Sequence, residues 1–143
     1  MRALGLDLGS KRIGVAVSDR SGTVATPLTV VQRGRTQRLD HEEIARIVAE
    51  EEAETVVVGL PLNMDGSEGR AATGARDEAR RLATVVKVPV VLHDERLTTV
   101  SADRALIEAR MKAQARRRVV DKLAAAVMLQ SWLDARHGTS VDD

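Results

Sequence analysis

Three acidic positions in this chain sit where carboxylates could do chemistry. Asp7 stands in Gly5-Leu6-Asp7-Leu8-Gly9-Ser10-Lys11-Arg12, between two glycines that leave room for a bulky partner and just ahead of two cations. Asp94-Glu95-Arg96 sets two acids beside a guanidinium. Asp121 follows the window 109–120, which contains no acid and carries Arg110, Lys112, Arg116, Arg117 and Arg118. Carboxylates brought close together repel strongly, so a converging set makes sense mainly around a cation. The chain has no cysteine, which leaves oxygen or imidazole as ligands and favours Mg²⁺ or Mn²⁺ over structural zinc. Mg²⁺ takes few carboxylates and completes its shell with water and substrate phosphate. Two such ions about 4 Å apart can activate water and stabilise the leaving oxygen of a phosphodiester. Each acid also has a plainer reading. Asp7 can cap the turn Gly9-Ser10, Glu95 can be a helix-entry acid paired with Arg96, and Asp121 can cap a helix start or be neutralised by Arg116 to Arg118. Lys11 and Arg12 can hold a phosphate or be solvated turn residues.

These residues need elements to bring them together. Positions 3–8 alternate, with Leu4, Leu6 and Leu8 on one face and Ala3, Gly5 and Asp7 on the other, the period of a strand. Gly9-Ser10-Lys11 is a turn, 13–18 alternates again, Asp19 to Gly22 is a second turn, and 23–31 is a third strand. Pro27 cannot donate to a ladder, so that strand is expected at an edge or bulged. Three strands on short turns make an antiparallel meander.

The period then changes. Leu39, Ile44, Ile47 and Val48 have helical spacing over 39–52, with Asp40 and Glu43 as a capping box. Residues 55–59 form a short apolar run, as expected of a buried parallel strand. Ser67 can cap a helix over 67–86 that turns Ala71, Ala75, Ala79, Leu82 and Val86 inward. A fifth strand is expected over 88–92, then a helix from Thr98 or Thr99 to Ala109, then a last helix opening at Asp121 and ending near Arg136 and His137. Asp121 would share a face with Ala125, Met128 and Trp132, an apolar environment that is costly for a carboxylate unless it is paired or binds metal. The expected architecture is a single α/β domain over 1–138 with a disordered tail at 139–143. Its mixed five-stranded sheet joins a three-stranded antiparallel meander to two parallel strands, with helices on both faces. Asp7 and Glu95 then lie at the carboxyl ends of strands, where open α/β sheets place ligands.

Composition bounds the function. A chain of 143 residues fits one domain and needs no staples. Net charge is only +1, so bulk charge does not announce a nucleic-acid binder, but the basic window beside Asp121 supplies local positive potential. One Trp, with no Phe or Tyr, argues against binding single strands by base stacking. No apolar run approaches the roughly 20 residues of a membrane span, and Asp7 interrupts what would be a leader, so a cytoplasmic protein is expected. His41 and His137 stand in charged, exposed-looking contexts and receive no role; His93 is expected to be structural.

Taken together, the 5–16 run, Val58-Gly59-Leu60-Pro61-Leu62-Asn63-Met64-Asp65-Gly66, Asp94-Glu95-Arg96-Leu97-Thr98-Thr99 and Asp121-Lys122-Leu123-Ala124-Ala125 resemble the YqgF/RuvX family over nearly the whole chain and in order. The resemblance implies a ribonuclease-H-like fold and a metal-dependent nuclease, processing the 5′ end of pre-16S ribosomal RNA or resolving Holliday junctions. It implies Asp7, Glu95 and Asp121 as the acidic triad around Mg²⁺ or Mn²⁺. Lys11, Arg12, Arg96 and Arg116 to Arg118 are expected to hold phosphates of structured RNA or branched DNA, in a monomer or weak homodimer. In folds of this kind the fourth strand lies beside the first, so Asp65, in the loop after it, is the reserve for Glu95. A non-catalytic RNA-binding assembly factor, with the acids structural, is the rival reading.

Overall fold

The computed structural model describes residues 1–97 and 116–141. Five strands form one sheet: β1 (Ala3–Leu8), β2 (Arg12–Ser18), β3 (Ala25–Gln32), β4 (Thr55–Leu60) and β5 (Val90–Asp94). Their order is β3-β2-β1-β4-β5. β1 to β3 pair antiparallel, while β4 and β5 run parallel to β1. Pro27 sits on edge strand β3, opposite the register shift between Val15 and Ala16, so the missing donor is accommodated in both expected ways.

Helices α1 (Gln37–Glu50) and α2 (Arg70–Ala83) belong to one face of the sheet and α3 (Arg116–Val141) to the other. The alternation in β1 decides what each face sees. Leu4 and Leu6 are fully buried with Ile13, Val15, Ile44 and Leu82 in the core under α1 and α2. Ala3 faces the other way and packs with Ala125, Leu129 and Leu133 of α3. Every residue of central strand β4 is buried, as a strand covered on both faces requires.

Gly5 sets the approach of α3. A Cβ at Gly5 would lie 2.8 Å from the Leu129 Cβ and 3.3 Å from the Ala125 carbonyl oxygen. Gly5→Val is expected to push the helix away and to destabilise the protein by about 1–3 kcal/mol, the usual cost of overpacking. A urea midpoint unchanged from wild type would contradict that.

Several element bounds differ from the sequence expectation. α1 begins at Gln37, and the Thr36 side chain accepts from the Leu39 N–H. Asp40 and Glu43 are therefore not its capping box. Leu39 falls on the solvent side, and Asp40 and His41 are buried. α2 begins at Arg70 without a side-chain cap; Ser67 is instead occupied with Asp65 and Asn63. That later start exposes Ala71 and buries Ala72. β5 is shifted two residues along, so it ends on Asp94. α3 starts at Arg116, which puts Asp121 inside the helix and not at its first turn, and it runs on to Val141. The helix expected after Thr98 lies outside the described residues, as do Arg110 and Lys112.

Candidate active site

Asp7 lies near the carboxyl end of β1 on the face covered by α3, and the turn behind it is tight. The Gly9 N–H donates to the carbonyls of both Asp7 and Arg12. A side chain at Gly9 would strike the Arg12 carbonyl. Lys11, in this turn, and Arg12, which opens β2, are exposed four and five residues along the chain from Asp7.

Glu95 opens a single 3-10 turn, Glu95–Leu97, directly after β5. β5 is not the neighbour of β1, because β4 lies between them. Glu95 nevertheless reaches Asp7. Its side chain crosses β4 at Gly59, where a built Cβ would lie 3.1 Å from Glu95 Cγ, 3.0 Å from Cδ and closer still to Oε1. The gap at Gly59 is thus filled by the Glu95 carboxyl group. Burial pushes Glu95 up to about 7, and the nearby Asp7 carboxylate, the hydrogen bond Glu95 donates to it, and Asp94 add to the effect. A half-buried carboxylic acid hydrogen-bonded to a second carboxylate is a pair from which a divalent cation would displace the proton.

The raised pKa has a consequence for stability. The unfolded chain titrates Glu95 near 4.5 and the folded protein near 7. Between those values the folded state holds a proton that the unfolded state has released. The contribution is therefore complete below about pH 4.5 and is lost as pH rises through about 7. In metal-free protein, wild type should lose melting temperature relative to Glu95→Gln between about pH 5 and about pH 8. Parallel melting curves would refute the assignment.

Asp121, the third expected carboxylate, stands on α3. α3 runs antiparallel to β1: Arg136 Nη1 contacts Met1 Sδ at 3.5 Å, whereas Ala125 and Leu129 sit against Gly5. One helical turn back from Ala125 is about 6 Å, and two strand residues on from Gly5 is about 6.6 Å. Backbone position 121 therefore falls towards the Asp7 end of β1. The side chains at 116–121, which include those of Arg116, Arg117 and Arg118, lie outside the described residues.

Asp65 is elsewhere. It accepts from the Ser67 N–H and hydroxyl, 2.9 and 2.6 Å, in an exposed loop, and Ser67 and Arg96 hold its carboxyl below the ordinary value. Among the described residues no third His, Asp or Glu joins Asp7 and Glu95 in a group that could hold a metal. Arg96 forks onto Asp94, with Nη2 2.7 Å from Oδ2, and its Nη1 donates to the Met64 carbonyl at 3.3 Å. Arg96 thus ties the 63–67 loop to the end of β5. His93 is buried with its Nε2 3.0 Å from the Ser131 hydroxyl, the structural place expected of it. Sequence spacing did not reveal Gly59 as the residue that admits Glu95. A lone glycine inside an apolar strand was the available signal.

The sheet order, with acids at the carboxyl ends of β1 and β5 and α3 across the same face, defines a ribonuclease-H-like protein. Thermus thermophilus RuvC has this fold: its structure in complex with a Holliday junction substrate superposes with a TM-score of 0.68 over 97% of both chains, at 18% identity. Another structure of Thermus thermophilus RuvC gives 0.60 over 97% of this chain and 98% of that one, also at 18% identity. Residues 1–135 match the family model RuvX, described as Holliday junction resolvase. The chain belongs to the RuvX family. A protein of Myxococcus xanthus named "Putative pre-16S rRNA nuclease" is 49% identical over 99% of this chain and 93% of its own length. An Anaeromyxobacter protein of the same name is 53% identical over 96% and 99%. Membership of this family makes the chain a nuclease. Among the described residues no helix is long and apolar enough to cross a membrane.

Proposed function

We propose that this chain is a divalent-metal-dependent nuclease that processes the 5′ end of pre-16S ribosomal RNA in the cytoplasm, as a monomer or weak homodimer, with Asp7, Glu95 and Asp121 as its catalytic carboxylates. The observation that carries the reading is the Asp7–Glu95 pair held across Gly59. A hydrogen-bonded pair of this kind suits Mg²⁺ or Mn²⁺, which would supply Lewis-acid stabilisation of the phosphate and a more acidic water. The chain's own residues do the rest. Asp7 and Glu95 fix the charge at the strand ends. Lys11 and Arg12, exposed at and after the turn beside Asp7, bind flanking phosphates, and Arg116 to Arg118 are read as further phosphate contacts from their charge in the sequence. Arg96 contributes to it when phosphate competes with Asp94 for its fork. Binding that rests on these cations should weaken steeply with salt.

The names of the relatives favour ribosomal RNA as substrate, and the description of the family model favours a four-way DNA junction as the second reading. The test is purified protein with precursor ribosomal RNA and with a four-way junction, side by side, with Mn²⁺, with Mg²⁺ and with chelator. We expect cleavage of the RNA that requires the metal. Cleavage of the junction alone would move the assignment to the second reading, and cleavage of neither would overturn both.

A further inference from the structure

On the α1 and α2 side of the sheet lies a cluster of charged residues that the proposed chemistry does not use. Arg33 follows β3, Asp40 and His41 lie in α1, and Glu78 lies in α2. Their side chains are 16%, 4%, 2% and 6% exposed. Glu78 takes both ends of the Arg33 fork, with Nη1 and Nη2 each 2.8 Å from its carboxylate oxygens. Asp40 accepts from Arg33 Nη1 at 3.3 Å and from the Gly34 N–H at 2.7 Å. His41 Nε2 stands 2.8 Å from Glu78. The expectation of an exposed His41 therefore fails: α1 turns Asp40 inward onto Arg33 and His41 inward onto Glu78.

The fork leaves the Nε donor of Arg33 pointing away from the carboxylates, and that donor is aimed. Arg33 Nε donates to the Gly9 carbonyl at 2.8 Å, and the Arg33 backbone N–H donates to the Lys11 carbonyl at 3.0 Å. One residue thus holds both sides of the turn that follows Asp7 and carries Lys11 and Arg12. A buried charge network is an expensive way to join two helices, because apolar residues of similar volume usually do so at no loss of stability. What apolar residues cannot do is present an N–H in a fixed direction to a backbone carbonyl. The bidentate pair fixes the guanidinium plane, and the plane fixes Nε.

We propose that Arg33, oriented by Glu78, Asp40 and His41, is a positioning residue that sets the Gly9–Arg12 turn and through it Asp7. The inference rests on the nuclease reading of Asp7. Burial pushes Glu78 up, but the hydrogen bonds from Arg33 and His41 outweigh it and hold the carboxyl below its ordinary value, so the fork stays charged.

Arg33→Lys tests this, since lysine keeps the charge and loses the fork. Two readouts are needed, neither of which depends on cleavage: amide hydrogen exchange, and Mn²⁺ affinity by calorimetry without nucleic acid. Exchange in residues 8–12 should quicken about tenfold or more while β2 and β4 stay protected, and Mn²⁺ should bind roughly ten- to a hundredfold more weakly, the usual effect of losing a residue that orients a metal ligand. Arg46→Met, at an exposed ion pair of α1, serves as the control and should match wild type in both. Unchanged exchange at 8–12 in folded Arg33→Lys would overturn the inference. So would a uniform rise across the sheet, which marks an ordinary brace, or Mn²⁺ affinity within about twofold of wild type. If Arg33→Lys does not fold, Glu78→Gln, which keeps the shape and removes the charge, is judged by the same criteria. If wild type itself binds no Mn²⁺, the metal reading of Asp7 fails, and the exchange data still decide whether the turn is clamped.

Discussion

Asp7→Asn should abolish cleavage while leaving the protein folded and able to bind nucleic acid. The change is nearly isosteric and removes one charge. Charge stabilisation at a metal-assisted phosphodiester centre amounts to several kcal/mol; about 4 kcal/mol corresponds to roughly three factors of ten in rate. Stability should hold or rise, because the variant removes the like charge facing Glu95, and the Glu95 pKa should fall part of the way from about 7. It should not fall fully, since burial is the larger cause. Single-turnover cleavage, a binding isotherm in the presence of Ca²⁺ and a thermal melt separate the readings. A catalytic ligand loses rate alone. An acid that only caps Gly9-Ser10 loses stability alone, and a pure RNA-binding factor shows no cleavage to lose.

Gly59→Val is the second variant with a large expected effect. It lies on β4, outside the acidic residues, yet any Cβ there meets the Glu95 side chain. Glu95 must leave the gap, and its carboxyl returns to water and to an ordinary pKa. Cleavage should fall about a hundredfold or more, equivalent to about 2.7 kcal/mol of transition-state stabilisation. The fold should survive, because valine suits a strand better than glycine does, and a Glu95 released to solvent no longer bears the cost of burial. The same variant should flatten the stability loss between about pH 5 and about pH 8 expected of metal-free wild type. Wild-type cleavage by folded Gly59→Val would show that Glu95 has no role at Asp7.

Much of the scaffold was legible because its periods are clean. The alternation of Leu4 and Leu6 against Ala3 and Gly5 places Asp7 on the α3 face, and the unbroken apolar run at β4 marks a strand covered on both sides. Bounds went astray where two neighbouring residues suit the same face. Ala71 and Ala72 are interchangeable in sequence, and only the start of α2 at Arg70 decides which is buried. Thr36 caps α1 from beyond a polar stretch that carries no period. The harder question was which acid faces Asp7. Sheet order alone favours the loop after β4 and hence Asp65, since β4 is the neighbour of β1. Glu95 is the one that meets Asp7 because a side chain can cross a strand that has none of its own, and that depends on a single glycine. The Arg33 cluster was unreadable for a similar reason. Its members are charged residues in charged stretches, and nothing local says that they turn inward.

The close seat of α3 on Gly5 bears on how the protein is made. β1 emerges first during synthesis and α3 more than a hundred residues later, so a packing contact of high contact order covers this face of the sheet last. Until α3 docks, Ala3, Ala16, Ala25 and Val57 face water, and the element bearing Asp121 is missing from the site. A partly synthesised or truncated chain would then be a poor nuclease and a good chaperone substrate. The nuclease activity would then appear only when folding is complete.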